Sequence, residues 1–277
     1  MDYAQTVDYL LTKLPLYSRI GAAAYRKDLT NTRLLSEHVG NPERRFRSVH
    51  VAGTNGKGST SHMLAAIFQR AGYKTGLYTS PHLKDFRERI RINGAFISED
   101  FVVGFVRRIA PLSETIDPSF FEISVAMAFD YFAHEQVDIA IIEVGLGGRL
   151  DSTNIITPEL SVITNIGYDH THLLGNTLAA IAFEKAGIIK PGVPVVIGES
   201  NPETAPIFEQ RAREEQAPIS WADKQHHVSD WRYQRHTLVA EVSRSPVADE
   251  KQYYTLDLAG IYQARNLVTV LEAVHQL

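Results

Sequence analysis

The sequence contains no cysteine. This absence excludes disulfide bonds, thiolate zinc sites, iron–sulfur clusters and a cysteine nucleophile, so a metal ion would need oxygen or histidine ligands. Positive charge is not in excess either, because 28 lysines and arginines face 32 acidic residues and give a formal net charge of -4. We therefore expect no nucleic-acid partner, since nucleic-acid binding depends on a surplus of positive charge.

Long apolar runs are also missing. The longest, at residues 139–142, has the length of a strand, whereas crossing a bilayer takes about 20 apolar residues. The first residues lack the basic and apolar regions of a signal peptide. These observations predict a cytoplasmic protein that does not bind membranes.

The order of apolar segments predicts the fold class. With 277 residues, 44% of them hydrophobic, the chain can form one large α/β domain. Strand-length apolar runs alternate with segments of helical period, which predicts a mostly parallel sheet of the P-loop type flanked by helices. The predicted strands are 48–52, 74–78, 138–144, 160–166, 193–197 and 219–221, and the predicted helices are 59–71, 99–109, 120–134, 177–189 and 203–216.

The last fifty residues change character. Polar and apolar residues alternate over 226–258 around a turn at 243–246, which predicts a small antiparallel β element near the C-terminus. Residues 262–277 show the period of an amphipathic helix.

A glycine-rich loop follows the first predicted strand. It consists of Gly53, Thr54, Asn55, Gly56, Lys57, Gly58 and Ser59. Glycines let backbone N–H groups converge on an anion, the following helix adds its dipole, and Lys57 adds a cation. The pattern GxxxxGK[ST] is not matched, because Val51 replaces its first glycine and Gly58 separates Lys57 from Ser59. We interpret the loop as a phosphate-binding site, with a plain strand–helix turn as the alternative.

Three titratable residues stand near the predicted ends of strands and on a helix. Glu143 ends an apolar strand, where α/β proteins bind ligands, and is predicted to bind Mg²⁺ on a nucleotide; a surface carboxylate or a helix cap is the alternative. His170 taken alone is more typical of a structural histidine. Lys185 lies on the apolar face of its helix, where its amine either snorkels to water, which we favour, or is partnered or modified. A neutral lysine can capture CO₂ as a carbamate, an anion suited to a second Mg²⁺.

Six segments together resemble the folylpolyglutamate synthase and dihydrofolate synthase branch of the Mur-type amide ligases. They are VAGTNGKGS at 51–59, YTSPHL at 78–83 with ERI at 88–90, FFE at 120–122, IEVGLGGRLD at 142–151, NIGYDH at 165–170 and EKAGI at 184–188. The resemblance covers nearly the whole chain. The SPHL and EVGLGGRLD segments separate the folate branch from the peptidoglycan ligases.

The resemblance implies a role for each matching residue. The loop from Gly53 to Ser59 would hold the ATP phosphates. Ser80 and Glu143 would bind a first Mg²⁺, and His170 and carbamylated Lys185 would bind a second. Phe121 and Asp151 would line a pterin pocket, because a flat bicycle stacks on a ring and its N–H donors suit a carboxylate. Core packing of Phe121 and a loop cap at Asp151 are the alternatives.

Two further groups of polar residues are candidates for ligand binding. In an extended segment Arg87, Arg89 and Arg91 would face one side and attract anionic substrate tails; a solvated strand face is favoured for all but Arg89. Gln263 and Asn266 resemble the family's Gln-x-x-Asn signature and could meet the adenine edge from one helical face. Either could equally be a plain surface residue.

The implied reaction joins L-glutamate to dihydropteroate or to a reduced folate through an acyl phosphate formed from ATP. It needs no protein nucleophile, so catalysis consists of positioning and of charge neutralisation by Mg²⁺, Lys57 and loop amides. A non-catalytic nucleotide-binding module and a P-loop phosphotransferase are the alternatives.

Family members carry a second α/β domain after the terminal helix, whereas this sequence ends at Leu277. Residues 1–277 are therefore expected to form the central ATP- and folate-binding domain without the C-terminal ligase domain. We expect this chain to be monomeric, to bind nucleotide, and to have little or no ligase activity alone.

Overall fold

The computed structural model describes residues 1–15, 21, 28–244 and 251–277. Within them the α-helices are α1 (Tyr3–Thr12), α2 (Thr30–His38), α3 (Lys57–Arg70), α4 (Glu99–Ile116), α5 (Phe120–His134), α6 (Thr171–Leu174), α7 (Leu178–Ala186), α8 (Ala205–Glu214), α9 (Ala222–Gln225) and α10 (Gln263–Gln276). The strands are β1 (Arg47–Ala52), β2 (Thr75–Tyr78), β3 (Ile90–Ile92), β4 (Ala95–Phe96), β5 (Ile139–Glu143), β6 (Leu160–Ile163), β7 (Val195–Ile197), β8 (Ile219–Trp221), β9 (His227–Gln234), β10 (Thr237–Ser243) and β11 (Gln252–Leu256). Short 3₁₀ helices lie at Pro42–Arg44, Phe86–Arg89 and Ser152–Ile155.

Eight strands form the central sheet in the order β4-β3-β2-β5-β1-β6-β7-β8. The strands from β2 to β8 in this order run parallel, and β3 and β4 add an antiparallel edge. The separate sheet β11-β10-β9 is antiparallel. The predicted fold class, a mostly parallel sheet flanked by helices with a small antiparallel element near the C-terminus, is confirmed.

Helices cover both faces of the central sheet, so its inner strands are buried on both sides. In β5, Ile139 and Ile141 pack in one core with α3 and α10, and Ala140 and Ile142 pack in a second core with α4 and α5. This explains why β5 is apolar at every position before Glu143, as expected of a parallel strand between two helical layers. Among the described residues, no helix has both the length and the apolar character that a membrane span requires.

Several elements differ from the sequence prediction. The helices α1 and α2 were not predicted, and β3 and β4 are too short to show a strand period. The helix α4 continues through Pro111 to Ile116, because Leu112 and Ile116 still pack against the core. The predicted turn at 243–246 falls partly outside the described residues, which omit Ser245 and Pro246.

Candidate functional site

Four neighbouring strands of the central sheet end at the same edge. In sheet order these are β2, β5, β1 and β6, and they run parallel to one another. Their carboxyl ends lead into the segments at 79–82, 144–148, 53–56 and 164–170. The sheet therefore brings the glycine-rich loop, Ser80, Glu143 and the segment before His170 to one edge, where ligands of open α/β sheets bind.

Two glycines allow the glycine-rich loop to curl against the rest of the fold. Gly53 has a φ of 146° and Gly56 a φ of 83°. A Cβ atom at Gly53 would lie 1.8 Å from Thr164 Oγ1, and one at Gly56 would lie 2.1 Å from Asn266 Oδ1. Neither position accepts a side chain without moving its neighbour, so both contacts require glycine.

Hydrogen bonds with the segment that follows β6 fix the first half of the loop. The Thr54 N–H donates to the Asn165 carbonyl at 2.9 Å, and the Asn55 N–H donates to Asn165 Oδ1 at 2.9 Å. Thr164 Oγ1 donates to the Asn55 carbonyl at 2.6 Å. The amides suited to an anion are therefore those of residues 57–59 in the first turn of α3, which a helix leaves without an intrahelical partner.

Two lysines converge on one carbonyl of this loop. Lys57 Nζ donates to the Gly53 carbonyl at 3.0 Å and to the Thr54 carbonyl at 3.1 Å. Lys185 is only 4% exposed, and its Nζ donates to the same Gly53 carbonyl at 2.8 Å. Snorkelling of Lys185 to water, which the sequence favoured, is therefore wrong. Burial, reinforced by the charge of Lys57, lowers the pKa of Lys185 to about 7.

Glu143 lies opposite the first turn of α3 and is 4% exposed. Its Oε2 accepts a hydrogen bond from the Ser80 N–H at 3.2 Å, and its Oε1 would lie 3.7 Å from a Cβ at Gly58. Burial raises the pKa of Glu143 to about 7, although the Lys57 charge opposes the rise. The surface-carboxylate alternative is thus wrong for Glu143, and Ser80 and Glu143 are adjacent as predicted.

The proposed ligands of a second metal ion, His170 and a carbamate on Lys185, stay a prediction. Among the described residues, no three histidine, aspartate or glutamate side chains lie close enough to hold a metal ion together. His170 starts α6 with a φ of 46°, and its Nε2 lies 3.6 Å from Asp169 Oδ2. The oxygen atoms of Glu143 and Ser80 suit Mg²⁺, which commonly completes its shell with water and phosphate oxygens.

Asp151 is buried and hydrogen-bonded within its own loop. Its Oδ2 accepts from the Leu146 N–H at 2.8 Å, and its Oδ1 accepts from the Thr153 N–H at 3.0 Å. Asp151 thereby caps the 3₁₀ helix Ser152–Ile155, as the alternative interpretation predicted. Contact of Asp151 with a pterin stays a prediction.

Phe121 lies half-buried against the same loop. Its ring centroid is 6.2 Å from that of Tyr78, and a Cβ at Gly145 would lie 2.3 Å from Phe121 Cζ. The ring packs at the margin of the core that contains α4 and α5. This core packing was the alternative interpretation of Phe121, and it leaves the pterin contact as a prediction.

The expected row of three arginines on one extended face is wrong. Arg87 and Arg89 belong to the 3₁₀ helix Phe86–Arg89, and only Arg91 lies in a strand. The turn forms because Asp85 and Glu88 make a capping box, with each side chain accepting a backbone N–H of the other.

Arg89 is the buried member of that group. Its Nε donates to His82 Nδ1 at 2.7 Å, and its guanidinium lies 5.0 Å from the centroid of the Phe120 ring. Tyr78 and Glu143 are its electrostatic neighbours. Arg89 is therefore a buried cation whose charge acts on Glu143, and not a solvated residue.

Gln263 and Asn266 are buried and contact the glycine-rich loop. Gln263 Nε2 donates to Ser59 Oγ at 3.1 Å, and Asn266 Nδ2 donates to Gln263 Oε1 at 2.8 Å. The surface alternative is wrong for both residues. Their predicted contact with adenine is untested and stays a prediction.

Sequence reasoning assigned no role to Thr164, Asn165 or Gly145. Thr164 and Asn165 directly follow β6, so the strand-end rule that singled out Glu143 would have found them. Gly145 carries no comparable signal, because its importance depends on the ring of Phe121 from α5.

We expect Gly145→Ala to destabilise the fold by about 1–3 kcal/mol, because the added methyl group collides with the Phe121 ring in a packed region. Urea denaturation measures this change. Gly104→Ala is the matched control, since a Cβ at this position in α4 meets nothing within 4 Å; it should stabilise the fold slightly. Equal stability of Gly145→Ala and the unsubstituted chain would contradict the packing argument.

A parallel sheet with a glycine-rich strand-to-helix loop, a lysine and a carboxylate at its carboxyl edge defines a nucleotide-binding domain of the P-loop class. The family model described as the Mur ligase middle domain matches residues 51–274. The chain therefore belongs to the Mur ligase family, in its folylpolyglutamate synthase and dihydrofolate synthase branch.

Named relatives support this branch. The chain is 40% identical over 252 residues to the dihydrofolate synthase/folylpolyglutamate synthase of Bacillus subtilis, which covers 88% of this chain and 58% of the relative. It is 42% identical over 214 residues to the folylpolyglutamate synthase of Lacticaseibacillus casei, which covers 75% of this chain and 48% of the relative. The chain thus spans about half the length of the curated relatives it matches.

Solved structures agree over the whole chain. The apo form of L. casei folylpolyglutamate synthase (FPGS) aligns with a TM-score of 0.90 at 33% identity, and the alignment covers 100% of this chain and 67% of that one. A complex of FPGS with AMPPCP and folate aligns with a TM-score of 0.88 at 33% identity and the same coverage. The folylpolyglutamate synthase of Thermotoga maritima gives 0.85 at 34% identity, covering 99% and 62%.

Proposed function

We propose that this chain is the ATP- and pteridine-binding part of an ATP-dependent ligase that joins L-glutamate to dihydropteroate or to a reduced folate. The observation that carries the proposal is the meeting of the glycine-rich loop, Glu143 and Lys185 at one sheet edge, close to Asp151. The names of the relatives favour a ligase over a phosphotransferase or a non-catalytic module.

In this reaction a carboxylate oxygen of the pteridine substrate attacks the γ-phosphorus of ATP, and ADP leaves. The amine of glutamate then attacks the acyl carbon of the acyl phosphate, loses a proton and displaces inorganic phosphate. The protein provides no nucleophile. The amides of residues 57–59 and Lys57 would hold the phosphates and offset the charge that moves to the leaving group.

Bound Mg²⁺ would neutralise phosphate charge and orient the terminal phosphate. Glu143 and Ser80 would hold the first ion together with nucleotide oxygens. His170 and a carbamate on Lys185 would hold a second ion. Because the described residues contain no ready-made group of three titratable ligands, binding of these ions would depend on the nucleotide and on carbamylation.

Formation of the carbamate would follow from the environment of Lys185. Its pKa of about 7 leaves about half of the amine neutral at pH 7. The neutral nitrogen can attack CO₂ and release a proton, which gives an anion in the place of a buried cation. The anion would then lie near the charge of Lys57, its electrostatic neighbour.

We expect a carbamate resonance in the carbon-13 NMR spectrum of the protein with labelled bicarbonate at neutral pH, and we expect Lys185→Met to remove it. Lys190→Met is the control and should keep the resonance. It removes another lysine with a lowered pKa, since burial and the nearby Arg33 and Arg211 lower the pKa of Lys190 to about 8. A resonance that survives in Lys185→Met, or none in the unsubstituted chain, would reject the modified lysine.

Calorimetric titration tests the proposed function itself. The chain should bind AMPPCP with Mg²⁺, and then dihydropteroate or tetrahydrofolate more tightly with the nucleotide present than without it. Binding of nucleotide without either pteridine would favour a module of another specificity. Failure to bind nucleotide would refute the proposal.

A further inference from the structure

A buried histidine in the central strand starts a chain of hydrogen bonds that ends at Asp151. His50 lies in β1 and is completely buried. Its Nε2 lies 2.9 Å from Thr153 Oγ1. Thr153 Oγ1 in turn hydrogen-bonds to Asp151 Oδ1, which also accepts the Thr153 N–H.

The chemistry of the three groups fixes the direction of this chain. The Thr153 hydroxyl donates to Asp151 Oδ1, so its oxygen accepts from His50. His50 must therefore carry its hydrogen on Nε2, and its Nδ1, buried without a partner among the described residues, is unprotonated. Burial lowers the pKa of His50 to about 3, with a smaller effect from Lys190, so the ring stays neutral near pH 7.

The hydrogen bonds of Asp151 hold its two oxygen atoms to different parts of its loop. Oδ1 accepts both the hydroxyl and the N–H of Thr153, which uses its two lone pairs. Oδ2 accepts the Leu146 N–H at 2.8 Å, and the Gly145 N–H also hydrogen-bonds to the carboxyl group. Burial raises the pKa of Asp151, and these hydrogen bonds oppose the rise because they favour the ionised form.

An aromatic ring packs against the part of the loop that holds Oδ2. The Asp151 loop includes Gly145, against which the Phe121 ring packs. Tyr78, whose ring is 6.2 Å from that of Phe121, is an electrostatic neighbour of Asp151. A flat heterocycle that stacks on Phe121 would thus have its edge near the Oδ2 side of this carboxyl group.

We propose that Thr153 and His50 are positioning residues that orient Asp151, so that Oδ2 recognises the amino group of a 2-aminopteridine. This inference rests on the proposed function, because it takes the pteridine as the ligand. By occupying Oδ1, Thr153 prevents the carboxylate from turning its other oxygen to the ligand. His50 keeps the Thr153 hydroxyl pointed at Asp151. Neither residue contacts the ligand.

The test compares two ligands and two pairs of variants. The ligands are pteroate and its analogue without the 2-amino group, each titrated in the presence of AMPPCP and Mg²⁺. Thr153→Val removes the hydroxyl and keeps the shape, whereas Thr153→Ser keeps the hydroxyl. His50→Leu removes the donor, whereas His50→Gln offers an N–H of similar reach.

We expect Thr153→Val and His50→Leu to weaken pteroate binding about tenfold, as for one lost hydrogen bond in a buried site. Their affinity for the analogue and for AMPPCP should stay the same, so the preference for the amino group shrinks. Thr153→Ser and His50→Gln should keep the preference of the unsubstituted chain. A merely structural role would weaken both pteridines by the same factor.

The outcomes separate this inference from the proposed function. If the unsubstituted chain prefers pteroate and both Thr153→Val and His50→Leu keep that preference, the inference is overturned and the proposed function stands. If the unsubstituted chain binds neither pteridine, both fail. Should Thr153→Val not fold, the comparison of His50→Leu with His50→Gln decides.

Discussion

Lys57→Met is expected to weaken the binding of AMPPCP with Mg²⁺ by about 100-fold, the equivalent of about 3 kcal/mol. The Lys57 ammonium lies in the first turn of α3 and is held by the carbonyls of Gly53 and Thr54. On nucleotide binding it would exchange these contacts for phosphate oxygens. Two charge-assisted hydrogen bonds account for a loss of this size. Calorimetric titration measures it.

Lys84→Met is the control for this variant, because it removes the same charge from an exposed side chain. Its affinity for AMPPCP should change little, since exposed charges are screened by salt. Binding of the nucleotide by Lys57→Met within threefold of the unsubstituted chain would show that the glycine-rich loop is not the phosphate site. The Lys57 variant should also raise the pKa of Lys185, because the charge of Lys57 helps to lower it.

The sequence was sufficient to predict that the glycine-rich loop and Glu143 reach the candidate site, because each stands at the carboxyl end of a predicted strand. Both obey the rule that the side of a parallel sheet on which a strand ends is fixed by its direction. Ser80 was expected there from the family resemblance, and Thr164 and Asn165 were missed although they also follow a strand. This rule does not depend on the order of the strands, so the unpredicted edge strands β3 and β4 do not affect it.

The orientation of side chains on helices could not be predicted in the same way. The helical period places Lys185 on the buried face of α7, but it does not reveal what lies opposite. The acceptor is the carbonyl of Gly53, 132 positions earlier in the chain. Gln263 likewise meets Ser59 from 204 positions away. Such contacts depend on how α7 and α10 dock, which local sequence does not encode.

Local competition between hydrogen bonds explains the arginine error. Alternating charges from Arg87 to Arg91 fit a strand, yet Asp85 and Glu88 bind nearby backbone N–H groups and close a 3₁₀ turn. The turn directs Arg89 inward, where its guanidinium lies 5.0 Å from the centroid of the Phe120 ring and its charge acts on Glu143. The capping box from Asp85 to Glu88 therefore outweighs the alternation of the charges.

Burial of ionised Glu143 lowers the stability of the ligand-free chain and favours the binding of a cation. In the folded chain its pKa is about 7, raised from an ordinary value of 4.5. A raised carboxyl pKa contributes stability below pH 4.5, and this contribution is lost as the pH rises through 7. The shift corresponds to a cost of about 3 kcal/mol for burying the ionised group at pH 8. A bound Mg²⁺ would repay this cost because it supplies the missing positive charge.

We therefore expect Glu143→Gln to stabilise the ligand-free chain by up to about 3 kcal/mol at pH 8 and by little at pH 5, as urea denaturation at the two pH values would measure. The same variant should lose the gain in AMPPCP affinity that Mg²⁺ gives the unsubstituted chain. In the unsubstituted chain this gain should shrink as the pH falls below 7, because the protonated carboxyl cannot bind the ion.

Glu135→Gln is the matched control. The hydrogen bond with Lys74 lowers the pKa of Glu135, so the effect of this carboxyl group on stability has the opposite sign to that of Glu143. A lowered carboxyl pKa contributes stability above the ordinary value and loses it as the pH falls, so Glu135→Gln should not stabilise the chain at pH 8. If Glu143→Gln is no more stable than the unsubstituted chain at pH 8, Glu143 is not a strained ion. The preference of Glu143 for a metal ion would then lose its energetic basis, because a carboxylate that is stable without a cation gains less free energy when a cation binds.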